Sequence, residues 1–377
     1  MAQRLADLLT PCLVLEQGRM LANIERMAGR ARELGVSLRP HLKTCKSADI
    51  AHRIMPGRSG ITVSTLQEAE YFARNGFSDI MYAVSIVPQK LEQVAKLNGQ
   101  GADVQLILDH PATANELAEA ACRLRTRFDA WIEIDVDGHR AGLEPDDPLV
   151  AEIGKFIQAS EHLRLKGVMT HAGESYECRS SQALERHAEL ERRRCIRAAE
   201  VLRGNGVDCP GVSVGSTPTA LAAKSLEGVT ELRAGVYVFF DLFQAGLGVC
   251  GVDDIALSVL TTVVSHKASQ RRLIVDAGGL ALSKDRGTAS QPVDCGYGLV
   301  ARAENGQLIP GLTVSAANQE HGIIELPDGS GFDQFPIGSQ LRILPNHACM
   351  TAAAHEHYNV VAGDDRLLTR WPRCNGW

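Results

Sequence analysis

The run LKGVMTH (165–171), followed by SQALERHAELERRRCIRAAEVLRGNG (181–206) and GVSVG (211–215), decides the fold. The two outer segments are short, apolar and bounded by turn residues. The long middle segment carries apolar residues at helical spacing, charges on its other face and glycine at its end. This is a strand–helix–strand unit. Working outward, further β-rich runs occur at VSLRPH (36–41), GITVST (60–65), DIMYAV (79–84), DVQLILD (103–109), DAWIEID (129–135) and LRAGVYVF (232–239). Helical stretches lie between them, such as RMLANIERMAGRAREL (19–34) and ATANELAEAACRLRTRF (112–128). Eight strands alternating with helices predict a (β/α)8 barrel over 17–245, with a doubly wound open sheet as the alternative.

Beyond residue 245 the rhythm changes. ALSVLTTVVSH, RLIVDAG, IPGLTVSAAN, HGIIEL, SQLRIL and HYNVVAG are β-prone runs punctuated by Gly, Pro, Asn and Asp, without an amphipathic helix between them. They predict an all-β domain over 246–377. The early run TPCLVLE (10–16) also reads as a strand, and residues 1–16 are expected to add it to that β domain.

Composition excludes several classes. Of 377 residues 45% are apolar and 22% charged, with a net charge of −6, which suits a globular protein with a large core and gives no case for nucleic acid. The first residues, MAQRLADLL, are neither a signal peptide nor an anchor, and no apolar run approaches the ~18 residues of a membrane span. A soluble cytoplasmic protein is expected. The ten cysteines are dispersed without CxxC pairs and are expected to be free thiols in a reducing compartment.

In a (β/α)8 barrel, functional groups project from the C-terminal ends of the strands. Those ends carry Lys43, Arg140, His171, the turn GSTPT (215–219) and the RAGV segment (233–236). GSTPT offers backbone N–H groups and hydroxyls to an anion, although the same residues serve equally as an ordinary helix cap. RAGV closes the next strand, and phosphate held between strands seven and eight is a habit of these barrels. Lys43 could form a Schiff base if its surroundings depress its pKa, or it could be a surface lysine.

The motifs TPCLVLE, RPHLKTCKS, GITVSTLQEAE, EIDVDGHRAG, VMTHAGESY, VSVGSTPT, TELRAGVYVFFD, IVDAG, NQEHG and LPNHAC occur in that order from residue 10 to about 360. In this set the chain resembles the D-serine dehydratase and D-threonine aldolase family, one of the fold type III, alanine racemase-like enzymes of pyridoxal 5'-phosphate. The resemblance implies that Lys43 holds that cofactor covalently and is the catalytic residue. It implies that Gly215, Ser216 and Thr217, with the backbone of Gly235 and Val236, bind the phosphate. Arg140 matches the arginine near the phenolic oxygen, His171 the histidine against the pyridine ring, and Arg233 the arginine facing the ring nitrogen in alanine racemase. Tyr176 and His321, the latter beside Glu320, are candidate substrate-pocket residues.

LPNHACMTAAAHEHYNVV (344–361) holds His347, Cys349, His355 and His357. His347 and Cys349 are two apart, which in an extended segment puts both on one face. Imidazole and thiolate suit Zn²⁺ or a similar divalent ion, with Mn, Mg and Co as other candidates. All four side chains could close a structural site. The family pattern carries over to His347 and Cys349 alone, and two ligands leave positions open for substrate, as catalysis requires.

The function implied is a pyridoxal phosphate- and metal-dependent dehydratase of β-hydroxy-D-amino acids. It would convert threo-3-hydroxy-D-aspartate or D-serine to a 2-oxo acid and ammonia. The alternative is an aldolase of D-threonine or 3-hydroxy-D-aspartate; members associated with that activity tend to have Asp in place of Cys349. A racemase or a non-catalytic cofactor carrier has no use for the His–Cys pair. The resemblance also implies a homodimer acting on a small D-amino acid.

Overall fold

The computed structural model describes residues 3–57, 60–138, 140–363 and 365–377. His139 of the EIDVDGHRAG motif lies outside them. By internal contacts the chain divides into two compact units, one of residues 26–235 with 376–377, the other of residues 1–25 with 236–375.

The chain begins with β1 (Cys12–Glu16) and α1 (Gln17–Glu33), then enters the barrel through β2 (Ser37–Leu38). There follow α2 (Ala48–Ile54), β3 (Ile61–Val63), α3 (Leu66–Arg74), β4 (Asp79–Ser85), α4 (Leu91–Gly99), β5 (Asp103–Leu108) and α5 (Pro111–Leu124). The second half comprises β6 (Phe128–Ile134), α6 (Pro148–Ala159), β7 (Leu163–Thr170), α7 (Ser181–Gly204), β8 (Gly211–Val214), α8 (Thr217–Ala222) and β9 (Glu231–Leu232). Among the described residues these eight strands form one parallel sheet in sequential order, with β2 beside β9. The bridge from His41 to Thr62 and the bonds Thr62 N–H to Pro40 O and Leu42 N–H to Thr62 O close it between β2 and β3. The unit is a (β/α)8 barrel.

β2 and β9 span two residues each, far short of the runs predicted at 36–41 and 232–239. Pro40 has no N–H to donate, so β2 ends early, although Arg39 and His41 still donate to Leu232 O and Ala234 O. β9 spans two residues because the chain turns at Gly235 into a 3-10 helix at Val236–Val238.

Met81, Ile107, Trp131 and Met169, from four successive strands, form a layer across the barrel interior. Burying each such side chain contributes about 1.5–3 kcal/mol. The Trp131 indole donates to Gln105 Oε1 at 2.9 Å, and a Cβ on Gly211 would lie 2.5 Å from the Trp131 ring. Glycine at 211 is what gives the indole room.

After α9 (Leu242–Gly246) come β10 (Leu257–Lys267), β11 (Arg272–Val275), α10 (Gly279–Leu282), β12 (Leu299–Arg302), β13 (Leu308–Ala317) and β14 (Gly322–Glu325). The chain finishes with β15 (Gln340–Leu344), α11 (Ala348–Ala353), β16 (His357–Val361) and β17 (Leu367–Pro372). The order β11-β14-β13-β12-β15-β10, closed by β10 on β11, is an antiparallel β-barrel. β1, β16 and β17 extend its sheet from β10, with β1 antiparallel to β10 and parallel to β16. β10 serves both sides because a register shift between Val263 and Ser265 bends it. The helices α10 and α11 are too short to show helical periodicity, which is why the sequence reads as all-β there.

The ten cysteines are free thiols. Among the described residues no helix is long and apolar enough to cross a membrane.

Candidate active site

The C-terminal mouth of the (β/α)8 barrel gathers most of the cations singled out in the sequence. Lys43 sits exposed in the turn after β2, and its N–H faces His41 Nδ1 at 3.4 Å. Burial pushes the His41 imidazole well down from its usual pKa, as do the nearby Lys43, Arg233 and His171. His171 follows β7, with Nδ1 3.2 Å from Gly215 O. Burial first, then Lys43 and Arg140, pushes its pKa down to about 3, so the ring is neutral at physiological pH. Arg140 is exposed in the loop after β6 and acts electrostatically on His171 and on buried Glu133. Tyr176 stands in the 3-10 turn Gly173–Glu177, its ring centroid 6.1 Å from that of His171.

Arg233 is buried, and its two terminal nitrogens donate to Ser213 Oγ and Thr170 O. Burial lowers its pKa, and Glu231 and Glu191 oppose that shift. Gly215 has φ of +130°, and a Cβ there would lie 2.3 Å from Arg233 O. A Cβ on Gly235 would lie 2.7 Å from His41 O. Both glycines bring backbone together where a side chain would prevent it.

In the GSTPT turn several polar groups already have partners within the protein. Gly215 donates its N–H to Glu191 Oε1 at 3.0 Å and accepts at its carbonyl from His171, so its own backbone groups are committed. Ser216 caps α8, with its N–H on Thr219 Oγ1 and its Oγ accepting from Thr219 N–H; it also meets Ser175 Oγ at 3.1 Å. Thr217 is buried beside it. Val236 is the chain neighbour of Gly235 and begins the next 3-10 turn.

Sequence reasoning missed the groups that brace this mouth. Glu191 in α7 accepts the N–H groups of both Ala172 and Gly215 while 2% exposed. Glu68 in α3 bonds Lys46 Nζ at 3.0 Å and Ser64 N–H at 3.1 Å, and Ser64 Oγ faces His41 Nε2 at 3.4 Å. The turn that carries Lys43 is thus tied to the start of α3. A signal existed for Glu191, which interrupts the apolar stripe Leu184, Ala188, Cys195, Ala198 and Leu202 of α7.

In the other unit, His347 and Cys349 do not lie in an extended segment. His347 is the N-cap residue of α11 and Cys349 is in its first turn, close enough to His347 to act on its pKa. His347 Nδ1 is 2.7 Å from Asp285 Oδ2. Burial lowers the His347 pKa, but the bonds to Asp285 and Cys349 outweigh it and raise the net value to about 11. Asp241 takes the N–H groups of Ala348 and Gln244, each at 2.9 Å, and so fixes the start of α11. Buried Asn346 is held by Thr288 Oγ1 and by Gly296 O. His355 uses Nε2 on Ala281 O at 3.0 Å, and His357 opens β16. Among the described residues no group of three or more His, Cys, Asp and Glu side chains is arranged to hold a metal. Glu320 and His321 are exposed in the turn joining β13 to β14.

Two family models match the chain: Alanine racemase, N-terminal domain over residues 15–242, and Putative serine dehydratase domain over residues 256–361. The molecule is therefore an alanine racemase-type barrel joined to a β domain. The chain belongs to the family that joins an alanine racemase N-terminal domain to a serine dehydratase domain. It is 50% identical to D-threo-3-hydroxyaspartate dehydratase of Delftia sp. (strain HT23), over 100% of both chains, and the structure of that protein superposes with a TM-score of 0.96. A structure of that dehydratase with one cysteine replaced by alanine is described as a metal-free form; it has a TM-score of 0.96, 49% identity and full coverage of both chains. D-serine dehydratase of Dictyostelium discoideum is 30% identical over 98% of both chains. D-threonine aldolase of Filomicrobium marinum is 27% identical, with a TM-score of 0.83 over 99% of this chain and 97% of that one.

Proposed function

We propose that the protein is a pyridoxal phosphate- and metal-dependent dehydratase of β-hydroxy-D-amino acids, releasing ammonia and a 2-oxo acid. The observation that carries this reading is the full-length 50% identity to a dehydratase of threo-3-hydroxyaspartate, together with His347 and Cys349 at the start of one helix. The donor set at the barrel mouth suits an anionic, carbonyl-bearing cofactor. It offers an exposed lysine, arginines at 140 and 233, two glycines with close backbone approach and a capped helix start. In this reading Lys43 holds the cofactor, and Ser216, Thr217, Gly235 and Val236 bind its phosphate. Gly215 supplies the sharp turn rather than a donor. The pair His347 and Cys349 suits a divalent ion of borderline softness such as zinc.

Bound there, the cofactor supplies an electron sink for negative charge at Cα, and the metal supplies a Lewis acid for a departing hydroxide. The chain's own groups do the rest. Lys43, with its amine free, would take the Cα proton. His171, held neutral by burial and by the cations around it, would offer the cofactor ring a face without added charge. Arg233 can only donate, so a ring nitrogen held against it would stay unprotonated and the electron sink would be moderate. A weaker sink makes assistance at the leaving hydroxyl more valuable, which fits a metal at His347 and Cys349. Arg140 offsets negative charge near the phenolic oxygen. Tyr176, beside His171, borders the substrate. The resemblance also supports a homodimer, which the molar mass in solution checks.

Incubation with D-serine, D-threonine and both 3-hydroxy-D-aspartate isomers tests the reading. Oxaloacetate or pyruvate with ammonia supports the dehydratase. Glycine with an aldehyde would make the protein an aldolase, like its D-threonine aldolase relative. A Lys43→Ala variant is expected to lose turnover and covalent retention of the cofactor.

A further inference from the structure

His347 and Asp285 are 62 positions apart in sequence, yet His347 Nδ1 lies 2.7 Å from Asp285 Oδ2. The carboxylate is itself anchored. Its other oxygen accepts the Gly287 N–H at 2.9 Å, while Ser283 Oγ accepts the Asp285 N–H at 3.1 Å. The aspartate is thus set in a short turn that aims one oxygen at the imidazole. Asp241, the other carboxylate acting on His347, has both oxygens on backbone N–H groups. Asp285 therefore differs from Asp241: it bonds the imidazole itself.

An imidazole that binds a metal presents the lone pair of one nitrogen and keeps its proton on the other. A carboxylate accepting from Nδ1–H selects that tautomer and sets the ring angle. We propose, resting on the metal reading above, that Asp285 is the positioning residue that directs His347 Nε2 to the ion, without being a ligand itself. The consequence is a division of labour in the β unit. Asp241 holds the backbone of the turn, Asp285 holds the ring, and His347 and Cys349 carry the ion.

The test is the Zn²⁺ affinity of the full-length enzyme with its cofactor bound, measured by competition with a chromogenic chelator. Asp285→Asn, a near-isosteric change at a partly exposed position, is expected to weaken Zn²⁺ binding about 10- to 100-fold while leaving cofactor content and circular dichroism unchanged. Asp285→Glu, which keeps a carboxylate, is expected to recover most of the affinity. Equal affinity in wild type and D285N overturns the role of Asp285 alone. A wild type that takes up no Zn²⁺ overturns the metal reading and this inference with it. A Zn²⁺-loaded crystal structure of the wild type is independent of whether any variant folds. Coordination through His347 Nε2 supports the proposal; coordination through Nδ1, or by Asp285 directly, contradicts it.

Discussion

Glu191 Oε1, buried in α7, accepts the backbone N–H of Gly215 at 3.0 Å and that of Ala172 at 3.2 Å. One carboxylate oxygen thus ties together the loops that follow β7 and β8, the two that carry His171 and the GSTPT turn. Truncation in Glu191→Ala leaves two buried donors unpaired and is expected to cost about 1–3 kcal/mol for each that stays unsatisfied. Glu191→Gln keeps an acceptor in place and is expected to be milder. Chemical denaturation of both variants, with cofactor content measured alongside, checks the ranking. Equal stability of E191A and wild type would remove Glu191 from the account.

The neutral His171 ring gives a pH prediction. Its folded pKa of about 3 lies below the usual 6.5, because of burial and then of Lys43 and Arg140. Between those values the unfolded chain binds the proton that the folded one refuses, so stability rises with pH across that window and falls as the solution is acidified through it. The contribution approaches a slope of about 1.4 kcal/mol per pH unit for one proton. His171→Gln is expected to flatten the acid limb of the cofactor-free protein. His41, shifted in the same direction, keeps part of the slope in that variant. An unchanged acid limb in H171Q would contradict the neutral assignment.

The β unit contains an ion pair whose loss has a clear sign. Arg342, 1% exposed, bonds Glu16 Oε1 and donates its Nε to Ala303 O at 2.7 Å, while Glu16 Oε2 takes the Gly363 N–H at 2.9 Å. Glu16→Gln strands a buried guanidinium, and about 3–5 kcal/mol of destabilisation is expected. The double variant E16L/R342M removes both charges and is expected to lose less than E16Q. Urea denaturation of the two proteins side by side gives the comparison.

How far these features were legible follows from the residues themselves. The barrel strands β5, β6 and β8 are buried on nearly every position, and β4 over residues 80–82, so Ile80, Leu106, Ile132 and Val212 stand out in β-rich runs. Strand ends then point to Lys43, His171 and Arg233 without further help. The bracing carboxylates are less visible because nothing local marks them. Asp285 sits in the turn SKDRG and meets His347 only through the folding of the β-barrel, and Glu68 looks like any acidic residue in a first helical turn. The His–x–Cys spacing suggests an extended segment, whereas the fold sets the two residues at the N-cap and first turn of α11. Residue identity points to a chemistry. The partners that hold it depend on tertiary contacts between distant segments.

The central claim, elimination assisted by a metal at His347 and Cys349, is tested most directly by one measurement. Oxaloacetate release from threo-3-hydroxy-D-aspartate is followed before metal stripping, after it, and after Zn²⁺ is restored, with bound cofactor quantified at each stage. The account predicts that stripping abolishes oxaloacetate release while the cofactor stays bound, and that Zn²⁺ restores it. Full dehydration by thoroughly metal-free protein would contradict the account.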